Sequence, residues 1–232
     1  MSSPQQLNWQ EFKRVLVVVA HPDDAEYGLS AAVNRWTRNG IHVSYLLLIH
    51  GEAGIRQMNP AECAEVRKTE QQRACQAMGV EDLTVLDYPD SRLEMSLELR
   101  RDIAAHIRRV QPDTVITANF DVEAYGGFNQ ADHRVAGLST VDAVSAADNP
   151  WSFPELEAEP WGASRILVAN VPNPTHVMPV EEEDIQAGVA SLAAHKAYWE
   201  ALPDNPAADS DAFIRQMLSY HDGQAFQQVT LK

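Results

Sequence analysis

The sequence predicts an α/β protein built on a doubly wound, mostly parallel sheet with helices on both faces. Three observations lead there. Short β-branched runs such as VLVVVA (15–20) alternate along the chain with segments of helical period. Those runs are apolar throughout rather than alternating, the pattern of strands covered on both faces. The chain has 232 residues, 45% hydrophobic and 22% charged, enough for one sizeable core in a single domain spanning 1–232.

VLVVVA opens the sheet, and residues 26–39 follow as a helix. IHVSYLLLI (41–49) is the second strand, 61–78 a helix, and LTVLD (83–87) the third strand. Residues 95–110 set Leu99, Ile103, Ile107 and Val110 on one stripe, with Gly79 and Pro112 as stops nearby. DTVITAN (113–119) reads as a strand, 131–147 as a helix and SRILVAN (164–170) as a fifth strand. Between the last two, DNPWSFPELEAEPWGAS (148–164) holds three prolines with Trp151, Phe153 and Trp161. It is either an ordered loop beside a site or a surface loop packing its own aromatics. Residues 203–232 read as a linker, PDNPAADSD, leading to a short C-terminal helix.

Acidic residues outnumber basic ones 33 to 18, a formal charge of -15, which repels phosphate backbones and anionic headgroups. Nucleic acid is therefore a poor partner. The opening MSSPQQLNWQEFKR is polar, and the apolar run after it is too short for a signal-peptide core or a membrane span. A soluble, cytoplasmic protein is expected, with homo-oligomerisation left open. Cys63 and Cys75 lack CxxC spacing and read as reduced core residues.

AHPDDAE (20–26) puts an imidazole and three carboxylates where the first strand ends, at the edge where open α/β sheets bind ligands. No GxGxxG is present, and three carboxylates would repel a phosphate. A cation fits better. His21 and Asp24 offer nitrogen and oxygen three residues apart across a turn stiffened by Pro22, a donor mixture suited to zinc or a similar divalent metal. A third ligand must come from another strand end. In NQADHRVAG (129–137), His133 follows the fourth strand and opens a helix, so it is either that ligand or a structural histidine. His42, His50 and His106 sit in or at the ends of regular elements, His106 as a packing residue, and His221 near the terminus reads as solvated.

AHPDDAE also resembles the signature of the LmbE-like family of de-N-acetylases, which includes the PIG-L enzymes. GEAG (51–54), Arg67 with Glu70, YPDSRL (88–93), DHRVAG (132–137), THVMPV (175–180) and AHKAYWEAL (194–202) are similar to further family blocks in the right order, covering most of residues 15–202. The resemblance implies a Rossmann-like, LmbE-like fold and a zinc hydrolase acting on N-acetylglucosamine-type conjugates or related amides. It implies His21, Asp24 and His133 as zinc ligands and Asp23 as the general base. Zinc would lower the pKa of its water towards about 7 and polarise the amide carbonyl. Asp23 could then carry the proton to the leaving amine, or simply cap the next helix. Glu26 reads as a first-turn acid complementing the helix dipole.

Arg67 resembles a family arginine facing the sugar, though an exposed arginine paired with Glu70 is the alternative. Asp90 either accepts sugar hydroxyls or shapes its turn. His195 reads as structural or outer-shell. Where many relatives carry a histidine three residues before the last ligand, this chain has Gln130, with Phe128 two residues earlier. Gln130 donates a hydrogen bond but transfers no proton, and Asp132, which supports that histidine in relatives, loses its obvious partner. The alternative function is a metal-pocket ligand-binding or accessory protein with weak or no turnover.

Overall fold

The computed structural model describes residues 3–202 and 204–231. Its elements in chain order are β1 (Gln5–Gln6), β2 (Arg14–Val19), α1 (Ser30–Arg38), β3 (His42–Ile49), α2 (Pro60–Met78), β4 (Asp82–Tyr88), α3 (Leu97–Val110) and β5 (Thr114–Ala118). Then come β6 (Glu123–Ala124), β7 (Gly127–Phe128), α4 (Ala131–Asp148), β8 (Arg165–Ala169), β9 (His176–Met178), α5 (Glu182–Ala193), α6 (Lys196–Ala201), α7 (Ser210–Ser219) and β10 (Gln224–Thr230). The main sheet has eight strands in the order β1-β9-β10-β8-β5-β2-β3-β4.

The five strands expected from apolar runs form the parallel centre of this sheet, β4-β3-β2-β5-β8. Alternation along β2 shows why they are apolar on both sides. Val15, Val17 and Val19 join a core with Trp36 of α1 and Met78 of α2, whereas Leu16 and Val18 join another with Leu99, Ile103 and Ile107 of α3 and Ala143 of α4. Helix ends follow local chemistry. The Asn59 side chain accepts from Ala61 N–H at 3.0 Å with Pro60 behind it, and Gly79 stops α2 at φ 71°. Ser96 caps α3 by accepting from Leu99 N–H at 3.0 Å. Cys63 and Cys75 are buried and unpaired, and burial beside Arg109 pushes the His106 imidazole down to about 4.

Three differences from the sequence reading matter. The first helix begins at Ser30 rather than Glu26, because residues 22–29 are occupied by turns. The loop 148–164 packs Phe153 and Trp161 against the core but leaves Trp151 86% exposed: Trp161 Nε1 donates to Pro112 O at 2.7 Å, and its ring lies under the Arg14 guanidinium. None of its residues lines the site cleft. In the C-terminal stretch Pro203 lies outside the described residues. From 204 onward the chain forms a 3-10 turn (Pro206–Ala208), α7, and then a strand the sequence did not suggest. That strand, β10, runs antiparallel between β8 and β9. Its sequence, QAFQQVT, buries Phe226 completely but has no apolar run to announce it. No described helix is long and apolar enough to cross a membrane.

Candidate active site

Strand order reverses at β2, which has β3 on one side and β5 on the other, and such a switch point opens a crevice at the strands' carboxyl ends. AHPDDAE leaves β2 there. Asp23 adopts φ 88°, a left-handed conformation that costs a non-glycine residue about 1–3 kcal/mol. Hydrogen bonds hold it: the Asp23 carbonyl accepts from Glu26 N–H at 2.8 Å and Tyr27 N–H at 3.2 Å, and its N–H donates to Gln71 Oε1 at 3.0 Å.

Asp24 Oδ2 accepts from the His21 backbone N–H at 2.8 Å and lies 3.6 Å from His21 Nδ1; Asp24 Oδ1 lies 3.1 Å from His133 Nε2. His133 arrives on the first turn of α4, its ring 5.3 Å from that of His21, edge to face. One donor atom from each of the three residues falls within 4.8 Å of the others. The outer ring nitrogens are anchored. His21 Nε2 is 3.2 Å from Asp90 Oδ1 and 3.3 Å from Asp132 Oδ2, and His133 Nδ1 is 3.0 Å from Asn129 Oδ1. Asn129 Nδ2 donates to the carbonyls of Asn119 at 2.8 Å and Asp121 at 3.1 Å, so its oxygen must face the imidazole. Each outer nitrogen is thereby engaged by a fixed acceptor, and His21 Nδ1 and His133 Nε2 both face Asp24.

The electrostatics fit a cation. Burial lowers the basicity of His21, but Asp132, Asp24 and Asp90 outweigh it and raise the imidazole well above its usual value. His133 is raised as well, burial being outweighed by Asp24. Burial raises the Asp24 carboxyl, yet His133 and His21 hold it well below the usual carboxylate range. A pocket in which both imidazoles are drawn towards protonation is one whose carboxylates call for positive charge. The donors His21, Asp24 and His133 therefore fit a divalent metal. His21, Asp90 and Asp132 also converge, but both of these aspartates are already engaged. Asp132 accepts from Ser91 N–H at 2.7 Å and Leu93 N–H at 3.1 Å, and Asp90 accepts from Ala53 N–H at 2.7 Å. Asp132 has therefore not lost its partner; it holds His21. Asp90, expected to bind sugar or shape a turn, ties the same imidazole to the GEAG loop.

Asp23 lies 3.0 Å through Oδ1 from Arg67 Nη2, and Arg67 also donates to Pro22 O. Arg67 was expected to face the sugar or to pair at the surface with Glu70. It lines the cleft but is only 2% exposed, beneath the Tyr198 ring at 3.8 Å from its centroid, and it does not pair with Glu70, which accepts from Ala197 N–H at the start of α6. Side chains at Gly51 or Gly54 would enter its space, since a Cβ there would stand 3.1 or 2.5 Å from the guanidinium. Burial pushes the Asp23 carboxyl up to about 6 against the opposing pull of Arg67.

Glu26 is fully buried rather than a first-turn acid. It accepts from Gln71 Nε2 at 3.1 Å and lies 3.4 Å from Nε2 of the equally buried His195. Gln130 is exposed at the start of α4, caps nothing with its side chain, and lines the cleft. The sequence reading missed Asn129, four residues before His133, and Gln71, four after Arg67. For Gln71 the i,i+4 spacing on the face of α2 was the available signal; Asn129 lies ahead of the first residue of α4 and had none. It also missed the β6–β7 hairpin, whose turn residues Tyr125 and Gly126 have φ 56° and 80°, and which brings the Tyr125 ring 6.4 Å from that of His133. His221, expected to be solvated, is half-buried and lines the cleft mouth.

The family model for GlcNAc-PI de-N-acetylase, PIG-L, matches residues 16–144. The chain belongs to the PIG-L family. A diacetylchitobiose deacetylase of Thermococcus kodakarensis is 33% identical over 144 residues, which are 61% of this chain and 53% of that protein. The chain thus aligns with about half the length of that relative. A 1D-myo-inositol 2-acetamido-2-deoxy-alpha-D-glucopyranoside deacetylase of Thermobifida fusca is 28% identical over 223 residues, 84% of this chain and 74% of that one. Among solved structures, an N,N'-diacetylchitobiose deacetylase from Pyrococcus horikoshii superposes with a TM-score of 0.83 at 20% identity, covering 96% of this chain and 85% of that chain. That likeness establishes the fold of this PIG-L member.

Proposed function

We propose that this PIG-L protein is a zinc-dependent deacetylase that hydrolyses the amide of an N-acetylglucosamine-type conjugate, in the cytoplasm. The observation that carries the reading is the pair of imidazoles whose outer nitrogens are locked by Asp132, Asp90 and Asn129, with both inner nitrogens turned to Asp24. His21, Asp24 and His133 would hold the ion, which supplies a Lewis acid for the amide carbonyl and for water. The relatives, named for diacetylchitobiose and for an acetamido sugar joined to inositol, support the substrate class.

The remaining chemistry belongs to the chain's own side chains. Asp23 is the general base: a buried carboxyl near pH 6 accepts a proton from attacking water at neutral pH and returns it to the departing amine. Arg67 holds Asp23 in place through Oδ1 and keeps it ionised enough to act as a base. Gln130 is free to donate its amide N–H to the developing oxyanion. Asp90 and Asp132 orient His21 and do not touch the sugar in this reading.

The test is acetate release from a panel of N-acetylated mono- and disaccharides, with chelator and after zinc is restored. Release that stops on chelation and returns with zinc is expected. Protein carrying one equivalent of zinc that frees no acetate from any member would leave a ligand-binding role and defeat the proposal.

A further inference from the structure

The cleft continues well beyond the metal-ligand triad. Its volume is about 1480 Å³, against roughly 300–1,000 Å³ for an ordinary small-ligand site. Leu202, Pro206, Phe213, Met217 and Tyr220 from the C-terminal segment line its outer half, and Phe128 on the hairpin lines the same cleft. Tyr220 is 61% exposed and Phe128 84%; large apolar surfaces left open around a cavity mark a binding surface. They are set in place from behind. The Tyr27 and Phe213 rings meet edge to face at 5.4 Å, and Asn205 accepts from Ala207 N–H at 2.9 Å while donating to Tyr27 Oη at 3.1 Å.

Charge narrows what can lie there. Among the described residues lining the cleft, Arg67 is the only lysine or arginine, and it is buried against Asp23 and Pro22 O. Glu123 lines the same cleft and the chain carries -15 overall. A carboxylate or phosphate in the outer half would lose water without gaining a lysine or arginine partner.

Building on the deacetylase reading, we propose that the outer half is an aglycone subsite: it takes an uncharged, apolar alkyl or aryl group attached to the N-acetyl sugar and rejects an aglycone bearing an anion. Continuity with the triad makes the occupant part of the same substrate molecule rather than a separate partner.

Calorimetry on the zinc-loaded protein with methyl, octyl and 7-carboxyheptyl β-D-glucosides tests this. These probes carry no acetamide, so binding is read without turnover. The measurement is made at pH 8 and below the octyl compound's micelle concentration. The octyl glucoside is expected to bind about tenfold or more tighter than either of the others, since burying a few methylenes suffices for that. Met217→Lys, or Leu202→Lys should the first variant not fold, is expected to abolish that advantage and favour the carboxylate. Equal binding of octyl and carboxyheptyl probes, or of octyl and methyl probes, would overturn the subsite. So would a concentration-dependent dimer broken by Tyr220→Glu in a protein with no octyl preference, which would assign the apolar mouth to a second copy. Acetate release from methyl N-acetylglucosaminide is measured in parallel: its absence with the octyl preference intact would refute deacetylation and leave the apolar subsite standing.

Discussion

One wall of the cleft comes from residues 21–24, 67, 90 and 129–133, and there almost every polar side chain is buried and held by a named partner. The other comes from residues 198–225, and there apolar side chains stand half-open on short helices and turns. The first wall lies inside the stretch matched by the family model, residues 16–144; the second lies outside it, with Phe128 on the hairpin lining the same cleft from within that stretch. Chemistry that must place donor atoms within a fraction of an ångström needs a second layer of hydrogen bonds, as His21 has in Asp90 and Asp132. Recognition of an apolar group needs only shape and dryness. The division suggests that the first wall sets what reaction occurs and the second sets on what molecule.

The largest effects should come from the two adjacent aspartates. Asp24→Ala is expected to lose bound zinc and with it essentially all turnover, because one of three donors goes and two imidazoles lose their shared partner. Asp23→Asn is expected to keep the metal and lose about 10² to 10⁴ in kcat. Elemental analysis alongside acetate release separates them; equal metal loss in both variants would mean that the roles are wrongly divided.

Next is Asn129→Ala, which deletes the acceptor at His133 Nδ1 without touching any donor atom of the triad. Loss of such an outer partner typically weakens metal affinity about 10- to 100-fold. A competition titration with a chromogenic chelator reads it, and unchanged affinity would show that the tautomer of His133 is fixed by something else. Gln130→Ala should be milder still, lowering kcat by about tenfold, below the usual loss for an oxyanion donor, since its exposed side chain has no partner of its own to preorganise it. A fall in zinc content in this variant would instead make Gln130 part of the metal's surroundings.

How legible these walls were in the sequence follows from how local they are. VLVVVA and the runs like it announced the parallel strands because burial on both faces requires unbroken apolar residues. AHPDDAE announced the candidate site because His21, Asp23 and Asp24 sit within four residues, and His133 could be added because a strand end and a helix start place it at the same edge. The roles of Arg67, Asp90 and Asp132 were not legible. Each depends on which of two neighbours a side chain meets after folding: Arg67 meets Asp23 rather than solvent, and Asp132 meets His21 rather than the histidine that Gln130 replaces. QAFQQVT was silent as a strand because its pairing with β8 and β9, not its composition, makes it one. The outer wall was invisible for the same reason, being assembled from α6, α7 and the turns between them.

The smallest predicted effect is the one that tests the division itself. Tyr220→Ala removes a ring that is 61% exposed and lines the cleft. For a substrate no larger than methyl N-acetylglucosaminide, the outer wall makes no contact in either ground or transition state, so kcat and KM should both stay within about threefold of the parent. For a substrate with a long apolar aglycone, the lost contact is uniform binding, felt equally before and during the reaction, so KM should rise by about threefold to tenfold while kcat holds. Steady-state acetate release on the two substrates gives both numbers. A drop in kcat of more than tenfold on the small sugar would mean that the mouth closes over the reacting amide, and the two walls would then have to be treated as one catalytic unit.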